Sequence, residues 1–151
     1  SIVVSNDWPE DIDIKNTKMD FYIKHIDSED SIIQAFRQAS KNTDFVIAIP
    51  DANIYNKSNI KNILLTTYKA KTPLIGYSEA LAKAGSLISI YTPAKHLGKQ
   101  AAEWFINGHE KAVGAPRYFT VKLNEKVAKS LNTKLKNKTL FKREIWTDKN
   151  E

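Results

Sequence analysis

The sequence predicts an α/β fold, an open, mostly parallel sheet with helices on both faces. Three observations lead there. Dense aliphatic runs such as Ile2–Val4 and Val46–Ile49 do not alternate with polar residues, as expected of strands buried on both sides. Those runs take turns along the chain with stretches of helical periodicity. The 151 residues are 42% hydrophobic and 26% charged, enough for one core without a staple.

The elements follow in order. Ile2–Ser5 reads as a short buried strand, followed by an acidic, loop-like stretch around Pro9. Phe21–Ile26 alternates Phe21, Ile23 and His25 against Tyr22, Lys24 and Ile26, which predicts a strand. In residues 27–43, Ile32, Ile33, Phe36 and Ala39 share one helical face. Asp27 or Ser28 can cap this helix, and Glu29 and Asp30 suit its positive end. Phe45–Ile49 is the next strand. Residues 57–71 form a helix with Ile60, Ile63, Leu64 and Tyr68 inward and Ser58 as a cap. Leu74–Tyr77 is a strand, 78–85 a short helical turn ended by Gly85, and Leu87–Tyr91 a strand. Residues 92–110 form a helix with Pro93 near its first turn, Gly108 past its end, and Leu97, Ala101, Trp104 and Phe105 inward. Tyr118–Leu123 is the last predicted strand, and Asn124 caps a helix after it. Residues 1–131 thus read as one α/β domain. Residues 132–151 read as a basic tail that Leu140, Phe141, Ile145 and Trp146 partly dock. The weak link lies between Ser5 and Phe21, which is short for a parallel crossover.

Charge is uneven. Five lysines and arginines face ten carboxylates up to Asn56, and eighteen face seven beyond it. The later lysines are spread rather than blocked, so they read as a solvated face and not as a nucleic-acid surface. Cysteine is absent, which excludes disulfides and thiolate chemistry. No apolar run approaches the roughly 18 residues of a membrane span, and no signal peptide stands at the start. His25, His96 and His109 have no ligand spacing, so no metal is expected, and no phosphate loop implies a nucleotide cofactor. Gly76–Ala80 ("GYSEA") resembles a nucleophile elbow, but no oxyanion segment accompanies it and His96 falls inside a predicted helix. No catalytic residue is assigned.

In open parallel sheets, ligands sit outside the carboxyl ends of the strands. The residues placed there are Asn6, Asp7 and Trp8; Pro50, Asp51, Asn53 and Tyr55; Tyr77, Ser78 and Glu79; and Tyr91 and Thr92. Carboxylates, amides, hydroxyls and flat rings suit a small polar solute. The same residues also admit a plainer reading, in which Asp51 and Asn53 form an Asx turn and the tyrosines pack.

Several motifs occur in a specific order: Ile49-Pro50-Asp51, Tyr55-Asn56, Leu64–Lys69 ("LLTTYK"), Pro73–Ser78 ("PLIGYS"), Ala84–Leu87 ("AGSL") and Gly98–Ala102 ("GKQAA"). With "PRYFTVKLNEKVAKSL" behind them, residues 44–131 resemble the second half of the ABC-transporter substrate-binding proteins of the type I periplasmic-binding-protein superfamily. The resemblance implies a non-enzymatic, extracytoplasmic, bilobal binder that closes on a small solute, such as an amino acid or amine, and presents it to a membrane permease. This chain corresponds to the C-terminal lobe and the segment returning toward the other. Asn6, Asp51, Asn53, Tyr55, Tyr77 and Ser78 are the expected ligand contacts. Asp51 meets a cationic or N–H-donating group, and its replacement by alanine is expected to weaken binding more than it lowers the melting temperature. A half-site favours a homodimer through the apolar surface near Lys95–Phe105 that would face the missing lobe. The alternative is a half-size sensory or protein-interaction module that keeps the fold without transport.

Overall fold

The computed structural model describes residues 1–7, 20–26, 32–108, 114–133 and 144–146. The expectations for Trp8, Pro9, Asp27–Asp30, His109, Leu140 and Phe141 lie outside these residues. The described strands are β1 (Ile2–Ser5), β2 (Ile23–Ile26), β3 (Val46–Ile47), β4 (Leu74–Gly76), β5 (Ile88–Tyr91), β6 (Tyr118–Leu123) and β7 (Glu144–Trp146). The helices are α1 (Ile32–Ala39), α2 (Ile60–Lys69), α3 (Glu79–Ala84), α4 (Ala94–Ile106) and α5 (Glu125–Ser130).

All seven strands join one sheet in the order β2-β1-β3-β4-β5-β6-β7. The first five are parallel, and β6 and β7 add to them antiparallel. The fold is therefore α/β with a mostly parallel open sheet. The pairing of β1 with β2 is parallel, Ile2 opposite Ile23, so the short link between them is a crossover. From β2 onward the chain steps in one direction across β3, β4 and β5. Right-handed crossovers then set α1, α2 and α3 on one face, and α1 packs beside α2.

The core lies between that helical layer and the sheet. Val3, Val46 and Leu74 rise from the strands to meet Ile32, Ala35, Phe36 and Ala39 of α1, Ile63 of α2 and Leu81 of α3. Gly76 is fixed by space: a Cβ there would stand 2.7 Å from Ser89 Oγ and 2.8 Å from Leu81 Cβ. Ser86 and Ser89 share a buried hydroxyl contact of 2.7 Å beneath it. Gly85 ends α3 at φ +122°, a conformation that side chains resist. Ser78 and Asn124 cap α3 and α5 through Leu81 N and Val127 N.

Three local expectations are corrected. On α2, Tyr68 is 43% exposed rather than inward, and Thr67, four residues from Ile63 on the inward face, is buried in its place. The start of α2 is held by Asn56 and not by Ser58. Asn56 Oδ1 accepts from Ser58 N and Asn59 N, both at 3.1 Å. More consequentially, α4 turns over. Leu97, Phe105 and Ile106 are 59%, 77% and 80% exposed, while Gln100 is 4% exposed. Gln100 donates to Ala115 O at 3.2 Å and accepts from Arg117 N at 2.8 Å. Tyr118 Oη donates to the Glu103 carboxylate at 2.9 Å. Ala115 O and Arg117 N need polar partners, so the Gln100 amide is drawn inward, the Glu103 carboxylate meets the Tyr118 hydroxyl and the Arg117 guanidinium, and the apolar side chains Leu97, Ala101 and Phe105 are left outside.

Candidate functional site

The order β2-β1-β3-β4-β5 reverses direction between β1 and β3, and open α/β sheets gather ligands at such a switch point. The loops that leave β1, β3 and β4 at their carboxyl ends all open there. Asn6 follows β1, residues 48–59 run from β3 to α2, and Tyr77 and Ser78 join β4 to α3.

Asp51 ties the point together. Its side chain is 4% exposed. Oδ2 accepts from Ser5 N at 2.8 Å, which reaches from the β3 loop to the last residue of β1. Oδ1 accepts from Asn53 N at 3.0 Å, an Asx turn within the loop. The Asp51 carbonyl accepts from Tyr55 N at 2.8 Å. The carboxylate thus closes a gap that the ladder leaves open, since β1 and β3 share a register of one pair, Ile2 opposite Ile47.

Tyr55 lies behind Asp51. It is buried, and its Oη donates to Val3 O at 3.3 Å. Its ring meets Phe36 and Tyr77 edge to face, with centroids 6.0 and 6.1 Å apart. Burial first, then the charge of Asp51 and the neighbouring Tyr77, push the Tyr55 phenol well above the ordinary tyrosine range. Burial and Asp51 raise Tyr77 as well. Both rings are held neutral and present apolar faces with polar tips.

The six expected contacts therefore fall into two groups. Asp51 and Tyr55 are buried, with their polar atoms engaged by backbone. Asn6 and Asn53 are exposed, and Tyr77 and Ser78 are half-buried. The last four reach the surface at this edge, and the first two lie buried. Ser78 Oγ accepts from Leu81 N at 3.2 Å, and the hydroxyl keeps its proton to donate. Phe36, the inner member of the ring stack, was not among the expected site residues. Its place on the inward face of α1 marked it as core, and nothing in its spacing showed that it props a site tyrosine.

The remaining chemistry-bearing residues lie elsewhere. His96 is on α4, its ring 5.9 Å from that of Tyr118, and His25 is on β2. Among the described residues no three His, Cys, Asp or Glu side chains cluster to hold a metal. No helix among them is long and apolar enough to cross a membrane.

Comparison with known proteins adds independent findings. A family model described as ABC transporter substrate binding protein matches residues 12–140. No curated protein matches the sequence significantly. Solved structures with the same fold include a ligand-free, open substrate-binding protein with adhesive properties from Clostridium difficile. It is 16% identical with a TM-score of 0.65, over 90% of this chain and 50% of that one. A conserved domain protein from Vibrio cholerae is 17% identical with a TM-score of 0.57, over 80% of this chain and 43% of that one. An ABC domain in complex with L-Trp from Streptococcus pneumoniae is 17% identical with a TM-score of 0.54, over 74% and 39%. The chain thus spans half or less of the length of these structures.

Proposed function

The chain belongs to the ABC transporter substrate binding protein family, and we propose that it is the ligand-binding lobe of an extracytoplasmic binder that captures a small polar solute for an ABC-type importer. The reading is non-enzymatic. One observation carries it: the β1/β3 switch point is braced by Asp51, and Asn6, Asn53, Tyr77 and Ser78 reach the surface there. In this reading Tyr77 supplies a flat wall, with Tyr55 and Phe36 stacked behind it. Asn6, Asn53 and Ser78 supply hydrogen bonds. The negative charge of Asp51 favours a solute with a cationic or N–H-donating group, such as an amino acid or amine. The structural relative in complex with L-Trp makes tryptophan one of the first compounds to test.

A single lobe covers one side of a solute, and affinity depends on how completely a ligand is enclosed. A second wall therefore comes from another lobe or from a second copy of the chain. The exposed stripe of α4, with Leu97, Ala101 and Phe105 outward, favours such pairing. The same stripe favours a second reading, a sensory or interaction module that keeps the fold and binds a protein.

A thermal-shift screen of amino acids and small amines, followed by calorimetry, tests the first reading. A stabilising compound is expected. Asn53→Ala should weaken it several-fold while leaving the unliganded melting point nearly unchanged. Tyr77→Ala should weaken it several-fold and also lower the melting point, because Tyr77 packs against the core and stacks on Tyr55. A compound whose affinity ignores both substitutions removes this edge as the site. A screen with no stabilising compound moves the balance to the interaction module.

A further inference from the structure

A second surface lies on the helical layer. Ile33 and Arg37 of α1 and Lys41 just beyond it follow one another at four-residue spacing, so they share one face. They look across at Leu65 and Lys69 of α2, and the two rows line an open groove of about 630 Å³. Its floor is apolar: Ile33 packs against the core and Leu65 is nearly half exposed. Its rim is basic. No carboxylate lines it, and Arg37, Lys41 and Lys69 take no part in the salt bridges among the described residues.

Arg37 and Lys69 also sit in the last turns of their helices, where a cation complements the helix dipole. That effect is available on any side of the last turn. It does not require both cations and Lys41 to converge on one groove around an apolar floor.

We propose that this groove docks an acidic, amphipathic helix of a protein partner. The fit is one of charge and shape. Apolar side chains on one face of such a helix reach Ile33 and Leu65, and carboxylates beside them meet the three cations. The flanking helices have eight and ten residues, or about 12 and 15 Å at 1.5 Å per residue, which matches two to three turns of a docked helix. The basic end lies at the carboxyl ends of α1 and α2, across the sheet from the solute edge, so partner and solute do not compete.

The test uses the full chain and a fluorescent synthetic peptide of glutamate and leucine, about 12 residues long, with leucines at helical spacing. Anisotropy should show saturable binding that weakens between about 50 and 300 mM salt. Arg37→Glu with Lys69→Glu should weaken it at least tenfold, and Leu65→Ser several-fold. Leu65→Ser changes no charge and so provides a separate readout if the double variant folds poorly. The proposal is overturned if the charge-reversed protein binds equally well, or if a peptide with serine for leucine binds as tightly. It is also overturned if phosphatidylglycerol vesicles, but not the peptide, retain the protein through these residues. Binding of the peptide should leave any solute-induced thermal shift unchanged, which separates this surface from the switch-point site.

Discussion

Replacing Asp51 by alanine removes two hydrogen bonds to a buried carboxylate, from Ser5 N at 2.8 Å and Asn53 N at 3.0 Å. Hydrogen bonds to charged groups contribute about 1.5–3 kcal/mol each. Asn53 is exposed, so water can replace most of its share. Ser5 N sits at the seam between β1 and β3, where the shortened side chain leaves a hole instead of an acceptor. The expected loss is about 2–4 kcal/mol, which for a chain of this size lowers the melting temperature by roughly 5–15 °C. Thermal unfolding followed by far-ultraviolet circular dichroism reads this directly. Asp51→Asn keeps one acceptor and should lose about half as much. The sequence alone suggested that Asp51→Ala would weaken binding more than stability, but burial of the carboxylate makes the stability cost substantial. A variant that melts within a degree of the parent would refute the bracing role.

Three further predictions follow from named contacts. Tyr55 keeps its proton in the folded chain above the pH at which an unfolded tyrosine ionises, about 10, because burial and Asp51 disfavour the phenolate. The stability this contributes is complete below that pH and is lost as pH rises above it. Tyr55→Phe should therefore cost about 1 kcal/mol at neutral pH, from the lost bond to Val3 O, with the gap to the parent narrowing above pH 10 in urea titrations. A gap independent of pH would contradict the assignment. Gly76→Ala places a Cβ within 2.8 Å of Ser89 Oγ and Leu81 Cβ, so the denaturation midpoint should fall by the equivalent of about 1–3 kcal/mol with an unchanged slope. Phe105→Lys, at a side chain 77% exposed, should leave the melting point in place and abolish concentration-dependent association in sedimentation velocity. A parent chain that stays monomeric at every concentration would dispose of pairing through α4.

Much of this architecture was legible because its signals are local. Unbroken aliphatic runs marked the central strands, and the cap Asn124 stands where a side-chain acceptor precedes helical periodicity, as does Ser78, which the sequence alone marked only as a ligand contact. The strand Tyr118–Leu123 was read to the residue. What escaped depended on partners distant in sequence. The orientation of α4 is set by Arg117, Ala115 and Tyr118, which lie 15 to 17 residues away from Gln100 and Glu103. Apolar periodicity cannot foresee a helix that docks by its polar side. The Asx turn at Asp51 is likewise local and was anticipated as one reading. The bond from Ser5 N crosses 46 residues and gives the same carboxylate a second task that only the strand order reveals.

The short ladder between β1 and β3 also sets where the protein breathes. Strand β3 spans two residues, and one register pair joins it to β1, so side chains hold much of that junction. Amide protons protected by few ladder bonds exchange through small local openings. The amides of Ser5, Ile47 and Asn53 should then exchange with deuterium sooner than those of β5, which is flanked by both β4 and β6. A solute that bridges the junction would slow exchange there first. The junction would thereby report occupancy without any label on the solute.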